Sequence, residues 1–220
     1  MPGPISAIRL EFADRSQGRV AVLARAVALE MGLREQQVVA IYAAAKVHDI
    51  GELALPASLF LKPGTLTVGE YDLIRGHCQI GYDMVKDIDC PWPFADAVLQ
   101  HHERLDGSGY PRGLSGAEIC LGARVVGVCD VVSAITLGGP HRKSRDMDFA
   151  LQEVRALRGT LLDGDVVDAC VRVAGASDFD WTTPDLHTPP SFGEWLEQLA
   201  RKVAGQQARP HSPGHGRSIH

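Results

Sequence analysis

Apolar residues recur at spacings of three and four along most of this 220-residue chain, a pattern typical of amphipathic and buried helices. The first helix is predicted to begin near Ser16 and to end at Gly32, and the second to run from about Glu35 to the pair His48-Asp49. Further helices are predicted from Thr67 towards His77, from Gly81 to about Asp87, from Phe94 to Glu103, from Leu121 to Leu137, and over about 146–158 and 163–174. Strand-like alternation is nearly absent, so the predicted fold class is all-α.

Glycine and proline positions predict the loops and the outer segments. Residues 51–64 contain several such breaks, and residues 104–116 contain four glycines and a proline, so both stretches are predicted to be loops. Residues 1–13 are interpreted as an N-terminal leader or a fragment of strand, and residues 14–176 as the folded domain. Residues 177–204 are interpreted as a C-terminal extension with one short helix, and residues 205–220 as a disordered tail.

Composition limits which binding partners and which cellular compartment are expected. The net charge of −5 argues against nucleic acid as the main ligand, because phosphate backbones require clustered cations. The five cysteines are scattered and odd in number, which favours a reducing cytoplasm and buried, apolar roles. No apolar run approaches the ~18 residues of a membrane span, so no membrane association is expected.

Histidines and carboxylates form the candidate site. His101 and His102 stand in tandem, His48 is followed by Asp49, and the carboxylate of Asp130 interrupts an apolar helix. Taken singly, His77 is better explained as a hydrogen-bonded or surface histidine. Asp130 could be a helix cap or an ion-pair partner, but a buried lone carboxylate is costly unless it is paired or bound to a metal. Together these residues are what a cluster of two divalent metals requires, since imidazole nitrogens suit transition metals and a carboxylate can bridge two ions.

The motifs that contain these residues resemble one known family. HDIG, LFLKPGTLT, HxxxGY, HHExxDGSGYP and ARVVGVCDVVSAIT, within residues 14–175, resemble the HD-GYP domains of bacterial phosphodiesterases. The resemblance implies an HD-superfamily bundle of about six to eight helices around a dinuclear metal site. It also implies hydrolysis of the second messenger cyclic di-GMP to linear pGpG, to GMP, or to both.

The resemblance also assigns roles to particular residues. Asp49 would bridge two ions, His48 and Asp130 would hold one of them, and the other would be held by His77, His101 and His102. The ions would be iron or manganese, with zinc, nickel or magnesium as alternatives, and a hydroxide activated between them would attack phosphorus. Asp49 and Tyr110 would be catalytic. The predicted substrate-binding residues are Gly109, Tyr110, Pro111, Arg142 and Glu52.

Several positions depart from the family pattern. Ser16 replaces a first histidine ligand, Ser133 replaces an aspartate, and Glu52 reverses the charge of a lysine. Phe12 replaces a glutamate that supports a third metal in some relatives, and Gly139 replaces one of two cations, of which Arg142 is the other. Glu52 also has a simpler interpretation, as a solvent-facing glutamate at a helix end. Two alternatives therefore stay open: a degenerate module that docks a diguanylate cyclase of the GGDEF type, and a phosphohydrolase acting on another nucleotide.

Overall fold

A computed structural model describes residues 4–62, 64–88, 90, 92–138, 143–177 and 179–180, and these ranges confirm the all-α class. The α-helices are α1 (Pro4–Glu30), α2 (Glu35–Val47), α3 (Ala57–Leu61), α4 (Val68–Arg75), α5 (His77–Val85), α6 (Phe94–Gln100), α7 (Leu121–Leu137), α8 (Met147–Ala156) and α9 (Gly164–Ala174). Two 3₁₀ turns span Ile50–Ala54 and Gly116–Glu118. Across the described ranges, β pairing is limited to two isolated bridges.

The first helix is longer than the sequence pattern predicts. It begins at Pro4 and not near Ser16, so residues 4–13 are helical and are not a strand fragment, while the predicted domain boundary near residue 14 stays a prediction. Proline is tolerated in the first turn of a helix because the N–H that it lacks has no intrahelical partner there. The helix ends before Gly32, which has a φ of 68°, a left-handed conformation that glycine adopts without steric cost.

Two other boundaries differ from the prediction. The expected loop over 51–64 contains the 3₁₀ turn and α3, which begins immediately after Pro56. Helix α5 begins at His77 and not at Gly81, because the backbone of Gly76 stays in the helical region and the chain breaks for only one residue. The predicted cap of α4 is confirmed, since the Thr67 side chain accepts a hydrogen bond from the Glu70 amide and the Glu70 carboxylate accepts one from the Thr67 amide.

Helix α7 occupies the centre of the bundle. It packs against α1, α2, α6, α8 and α9. Val125, Val126, Val128 and Val132 are fully buried, and burial of each such side chain contributes about 1.5–3 kcal/mol. A helix that is apolar on nearly all sides is stable only when neighbours surround it, as they do here. The single carboxylate of this helix, Asp130, is thereby brought into the interior of the domain.

The predicted C-terminal extension and tail, 177–204 and 205–220, lie almost wholly outside the described residues. In the part that is described, no helix has the length and the apolar character needed to cross a bilayer.

Candidate metal centre

Four elements of the bundle bring the predicted ligands together. His48 and Asp49 follow the end of α2, and His77 opens α5. His101 and His102 follow the end of α6, while Asp130 lies in the middle of α7. The described residues contain two groups whose ligand atoms all lie within 4.8 Å of one another: His48, Asp49 and His101, and His77, Cys78, His101 and His102. The two groups share His101, so together they form one continuous cluster.

Three of the imidazoles are held in the same way. The Nδ1 atoms of His48, His77 and His101 lie 2.8, 2.7 and 2.7 Å from the carbonyl oxygens of Ala45, Ile74 and Val98, respectively. Each carbonyl belongs to the last turn of a helix, where backbone oxygens lack an intrahelical partner. We assign the proton to Nδ1 in each ring, because only Nδ1–H can donate to a carbonyl. The Nε2 lone pair is then free to bind a cation, which is the usual tautomer of a metal-bound histidine.

Asp49 lies between the imidazoles. Its Oδ2 atom is 3.0 Å from Nε2 of His48, and its Oδ1 atom is 3.2 Å from Nε2 of His77 and 3.5 Å from Nε2 of His101. The two carboxylate oxygens therefore face different histidines. Asp130 approaches from α7, with Oδ1 3.7 Å from Nε2 of His48.

The second histidine of the tandem connects the cluster to the glycine-rich loop. The ring of His102 lies 4.1 Å from that of His101 and 5.2 Å from that of His77, measured between centroids. The Tyr110 ring stacks on it at 4.7 Å with an interplanar angle of 29°. Tyr110 thus forms part of the wall beside the cluster. Burial raises the pKa of its phenol, so this side chain is neutral at physiological pH and can donate a hydrogen bond.

Charges in the cluster are strongly coupled. Burial alone would lower the pKa of His48, but the carboxylates of Asp49 and Asp130 raise it well above its usual range. Burial likewise lowers the pKa of His77, while hydrogen bonds to Asp49 and Cys78 raise it to about 11. The pKa of Asp49 is held well below its usual range by His48 and its neighbours, although burial opposes this. Protons on the histidines therefore balance the carboxylates here, and cations would displace those protons.

The pKa values of the tandem histidines move in the opposite direction. Burial lowers the pKa of His101, and the positive charge of His48 adds to this effect. Burial and the charge of His101 lower the pKa of His102 well below its usual range. Neutral imidazoles are the form that binds metal ions.

Glycines allow the backbones around the cluster to approach closely. A Cβ atom on Gly51 would clash with the carbonyl oxygen of His77 and would lie 2.7 Å from the amide of Gly81. A Cβ atom on Gly127 would lie 2.6 Å from the carbonyl oxygen of His101. Real Cβ atoms do not tolerate such distances. The glycine of the HDIG motif and the glycine one turn before Asp130 are therefore required for the histidines to reach one another.

A buried carboxylate fixes the glycine-rich loop. Glu103 is 5% exposed, and its two oxygens accept hydrogen bonds from the amides of Arg112 at 2.7 Å and Leu114 at 3.0 Å. The loop also crosses the backbone of residues 102–104 at Gly109, where a Cβ atom would lie 2.4 Å from the Glu103 Cα. These contacts determine the position of Tyr110, which follows directly in the chain.

Of the predicted substrate residues, Tyr110 stacks on His102 and lies between Gly109 and Pro111 in the chain, whereas Arg142 falls outside the described residues together with Gly139. Glu52 is half-buried in the 3₁₀ turn after Asp49, and Pro111 is exposed. Ser16 is half-buried in α1. Ser133 is fully buried one turn after Asp130, and its hydroxyl has no hydrogen-bond partner in the described part of the chain.

Two residues near the cluster were not singled out from the sequence. The Sγ atom of Cys78 lies 3.4 Å from Nε2 of His77. The guanidinium of Arg75 lies over the rings of Tyr71 and Tyr110, 4.6 and 5.0 Å from their centroids. A signal for Cys78 existed in the sequence, because it adjoins a predicted ligand. Arg75 gave no such signal, since its approach to Tyr110 depends on how α4 packs against the loop.

The donor set fits divalent transition metals. Four imidazoles and two carboxylates converge, and among the described residues of the cluster protonated histidines balance the carboxylates. Nε2 of His48 is fully buried and makes no hydrogen bond of acceptable geometry within the described part of the chain, although Asp49 lies close to it. A buried polar atom without a partner is costly, and coordination to a cation removes that cost.

Comparison with known proteins identifies the class. A family model described as HD domain matches residues 1–166. The chain therefore belongs to the HD domain family, and the resemblance of its motifs to HD-GYP domains is confirmed. The predicted HD-type helical bundle is confirmed with it.

Relatives with assigned names are similar over most of the described domain. The chain is 42% identical over 156 residues to the cyclic di-GMP phosphodiesterase response regulator RpfG of Xanthomonas campestris, covering 70% of this chain and 41% of that protein. It is 37% identical over 168 residues to the 3'3'-cGAMP-specific phosphodiesterase 1 of Vibrio cholerae, covering 74% of this chain and 38% of that protein. The chain thus spans about two fifths of the length of these relatives.

A solved structure supports the fold independently. The crystal structure of the cyclic GMP-AMP-specific phosphodiesterase V-cGAP3 of Vibrio cholerae superimposes with a TM-score of 0.66 at 15% identity, covering 91% of this chain and 57% of that chain. At this level of identity the similarity concerns the fold alone.

Proposed function

We propose that this protein is a metal-dependent phosphodiesterase that hydrolyses cyclic di-GMP. The observation that carries the proposal is the position of Asp49, whose two oxygens face His48 on one side and His77 and His101 on the other. The name of the Xanthomonas relative supports the choice of substrate. The product would be linear pGpG, GMP or both, within a bacterial second-messenger pathway.

The ligands divide into two sets around Asp49. His48 and Asp130 would hold one divalent ion, and His77, His101 and His102 the other, with Asp49 bridging. The separation of the Asp49 oxygens, and the Nε2 atoms that face Asp49 and Asp130, support this division. Iron or manganese is proposed, since imidazole and carboxylate ligands suit both, and zinc, nickel or magnesium are alternatives. When bound, two such ions would lower the pKa of a water molecule and offset negative charge on the phosphate.

The protein's own side chains would position the substrate. Tyr110, neutral and stacked on His102, can donate its hydroxyl proton to a phosphate oxygen, and Gly109 fixes where this ring lies. Tyr71 and Arg75 line a cavity of about 770 Å³, which lies within the usual size of ligand pockets. We propose that it receives one nucleotide half of the substrate, with the Arg75 guanidinium near a phosphate or a base.

Arg75 compensates for the unusual charge of this site. Glu52 is negative where the resemblance to HD-GYP motifs implies a lysine, and Nε of Arg75 is buried with no hydrogen-bond partner among the described residues. The carboxylate of Asp72 lies 4.0 Å away, at the limit of an ion pair. A guanidinium with so little local pairing is available to an anionic ligand.

Hydrolysis tests the proposal directly. Protein purified without oxygen and loaded with Mn²⁺ or Fe²⁺ is expected to convert cyclic di-GMP, with products separated by chromatography. Asp49→Asn is expected to reduce the rate at least about 100-fold, since residues that merely hydrogen-bond to ligands are already worth 10–100-fold. Asp83→Asn is the matched control, because that carboxylate pairs with Lys86 on the exposed side of α5. Folded, metal-loaded protein without turnover would refute the proposal.

A second substrate has specific support. The similarity to the Vibrio cholerae 3'3'-cGAMP-specific phosphodiesterase suggests a mixed cyclic dinucleotide. The same assay with 3'3'-cGAMP separates the two substrates, and a higher kcat/KM for it would identify that dinucleotide as the preferred one.

The docking hypothesis makes the opposite prediction about variants. If this chain is a degenerate module that binds a diguanylate cyclase, Ser16→His combined with Glu52→Lys would create an activity that the native chain lacks. If the native chain hydrolyses cyclic di-GMP as fast as the double variant, these two departures do not impair catalysis.

We propose a cytoplasmic location, since all five cysteines are free in the structure.

A further inference from the structure

Cys78 differs from the other cysteines in its surroundings. All five lie in the described part of the chain, and four of them belong to the hydrophobic core cluster or pack against it. Cys78 is fully buried but is not a member of that cluster. Its Sγ atom instead lies 3.4 Å from Nε2 of His77 and within 4.8 Å of the ligand nitrogens of His101 and His102. A small apolar role, which is the ordinary explanation of a buried cysteine, does not account for this position.

The distances around Cys78 match those of a coordination shell. Sγ of Cys78 and Nε2 of His77 are 3.4 Å apart, and Nε2 of His77 and Nε2 of His101 are also 3.4 Å apart. With metal–sulfur bonds of about 2.3 Å and metal–nitrogen bonds of about 2.05 Å, neighbouring ligands of one ion lie roughly 2.9–3.6 Å apart for angles of about 90–110°. The ligand atoms of Cys78, His77, His101 and His102 all lie within 4.8 Å of one another.

We infer that Cys78 is a sulfur ligand of the ion held by His77, His101 and His102. This inference rests on the proposed metal centre and adds a residue to it. On binding, the thiol loses its proton to solvent and the thiolate forms the metal–sulfur bond, so no oxidant or reductant is required.

A thiolate changes which metal this half of the centre prefers. Soft sulfur ligands favour zinc and iron over manganese and magnesium, which prefer oxygen. The chain should therefore select between metals at one position more strongly than a site of nitrogen and oxygen ligands alone. Cys78→Ser should remove this selectivity and leave the volume of the side chain almost unchanged.

Cobalt spectroscopy provides the test. The full chain is loaded with Co²⁺, because a cobalt–thiolate bond gives a charge-transfer absorption in the near ultraviolet that nitrogen and oxygen ligands do not give. The absorption is expected in the native chain and in Cys170→Ser, whose cysteine is buried in α9, and is expected to be lost in Cys78→Ser. In competition, Cys78→Ser should lower the ratio of bound Zn²⁺ to bound Mn²⁺ at least about tenfold.

The outcomes distinguish a failure of the Cys78 assignment from a failure of the metal centre itself. Bound Co²⁺ without the charge-transfer absorption in the native chain would overturn the role of Cys78 and leave the proposed phosphodiesterase intact. Absence of Co²⁺ binding in folded native protein would overturn the metal centre itself, and the role of Cys78 with it. Helix content by circular dichroism confirms that each variant is folded, and Cys78→Asp, which retains a ligand but no sulfur, should bind Co²⁺ without the absorption.

Discussion

The carboxylate of Glu103 gives a quantitative test of how the glycine-rich loop is held. Its oxygens accept hydrogen bonds from the amides of Arg112 and Leu114, and the side chain is buried. In Glu103→Gln the amide oxygen can still accept one of these bonds, but the NH₂ group faces the other amide. One charge-assisted bond, worth about 1.5–3 kcal/mol, is lost, and the remaining bond is weakened by roughly half. The expected loss of unfolding free energy is about 2–4 kcal/mol.

The same chain contains a matched control. Glu118 also accepts two hydrogen bonds, from the amide and the hydroxyl of Ser115, but it is exposed. Glutamine serves in a capping box as glutamate does, and water can solvate the remaining groups. Glu118→Gln should therefore change the unfolding free energy by no more than about 0.5 kcal/mol.

Chemical and thermal unfolding of chelator-treated protein measures the difference, because bound metal would otherwise add to the apparent stability. Glu103→Gln should lower the melting temperature by roughly 4–16 °C, at 2–4 °C per kcal/mol for a domain of this size. It should also reduce kcat, since the loop carries Tyr110 beside His102. Equal stabilities of the two variants would show that the buried carboxylate does not hold the loop.

Three further predictions concern other contacts. Gly109→Ala should destabilise the protein by about 1–3 kcal/mol and reduce turnover at least about tenfold, because its Cβ atom would clash with neighbouring backbone atoms. In the control variant Gly69→Ala the new Cβ atom meets nothing within 4 Å, so neither stability nor turnover should fall. Equal effects of the two variants would contradict the steric explanation. Arg75→Gln should raise KM for the dinucleotide about tenfold with little change in kcat, and an unchanged KM would remove Arg75 from the substrate site. Hydrogen bonding from Lys62 lowers the pKa of Glu70 from 4.5 to about 2. Its contribution to stability is therefore present above pH 4.5 and is lost as the pH falls towards 2. NMR titration should find the Glu70 pKa well below 4.5 in the native chain and higher in Lys62→Met, and an ordinary value in the native chain would contradict the pairing.

The sequence predicted the helices of the core well, because their apolar spacing is set by burial. Helix α7 runs from Leu121 to Leu137 as predicted, and the cap at Thr67 is confirmed. The start of α1 was missed because the two prolines among the first four residues were taken as breaks, although Ile5, Ile8 and Phe12 follow helical spacing. The segment after Asp49 was predicted as loop because glycine and proline were taken as breaks. Proline at a helix start is compatible with a helix, as α3 demonstrates.

Part of the candidate metal centre could be predicted from the sequence. Tandem histidines and a His-Asp pair indicated a metal cluster, and the structure brings His48, Asp49, His77 and His101 within contact of one another. Which ion each residue holds stays a prediction. The Nδ1 hydrogen bonds reach carbonyls only three residues earlier, and the Glu103 oxygens reach amides 9 and 11 residues later, but the apolar spacing that predicts helices does not specify such side-chain contacts. The contact of Arg75 with Tyr110 depends on packing between segments distant in sequence.

The carbonyl contacts of His48, His77 and His101 have a consequence for how sequences of this kind are interpreted. Each ring terminates a helix through Nδ1 and would continue to do so without any cation. In a relative that had lost turnover, selection for folding would therefore still retain these imidazoles. Retention of the three histidines in a related sequence therefore indicates that the fold is retained. Asp49 closes no helix, so its retention or loss indicates whether the metal chemistry is retained.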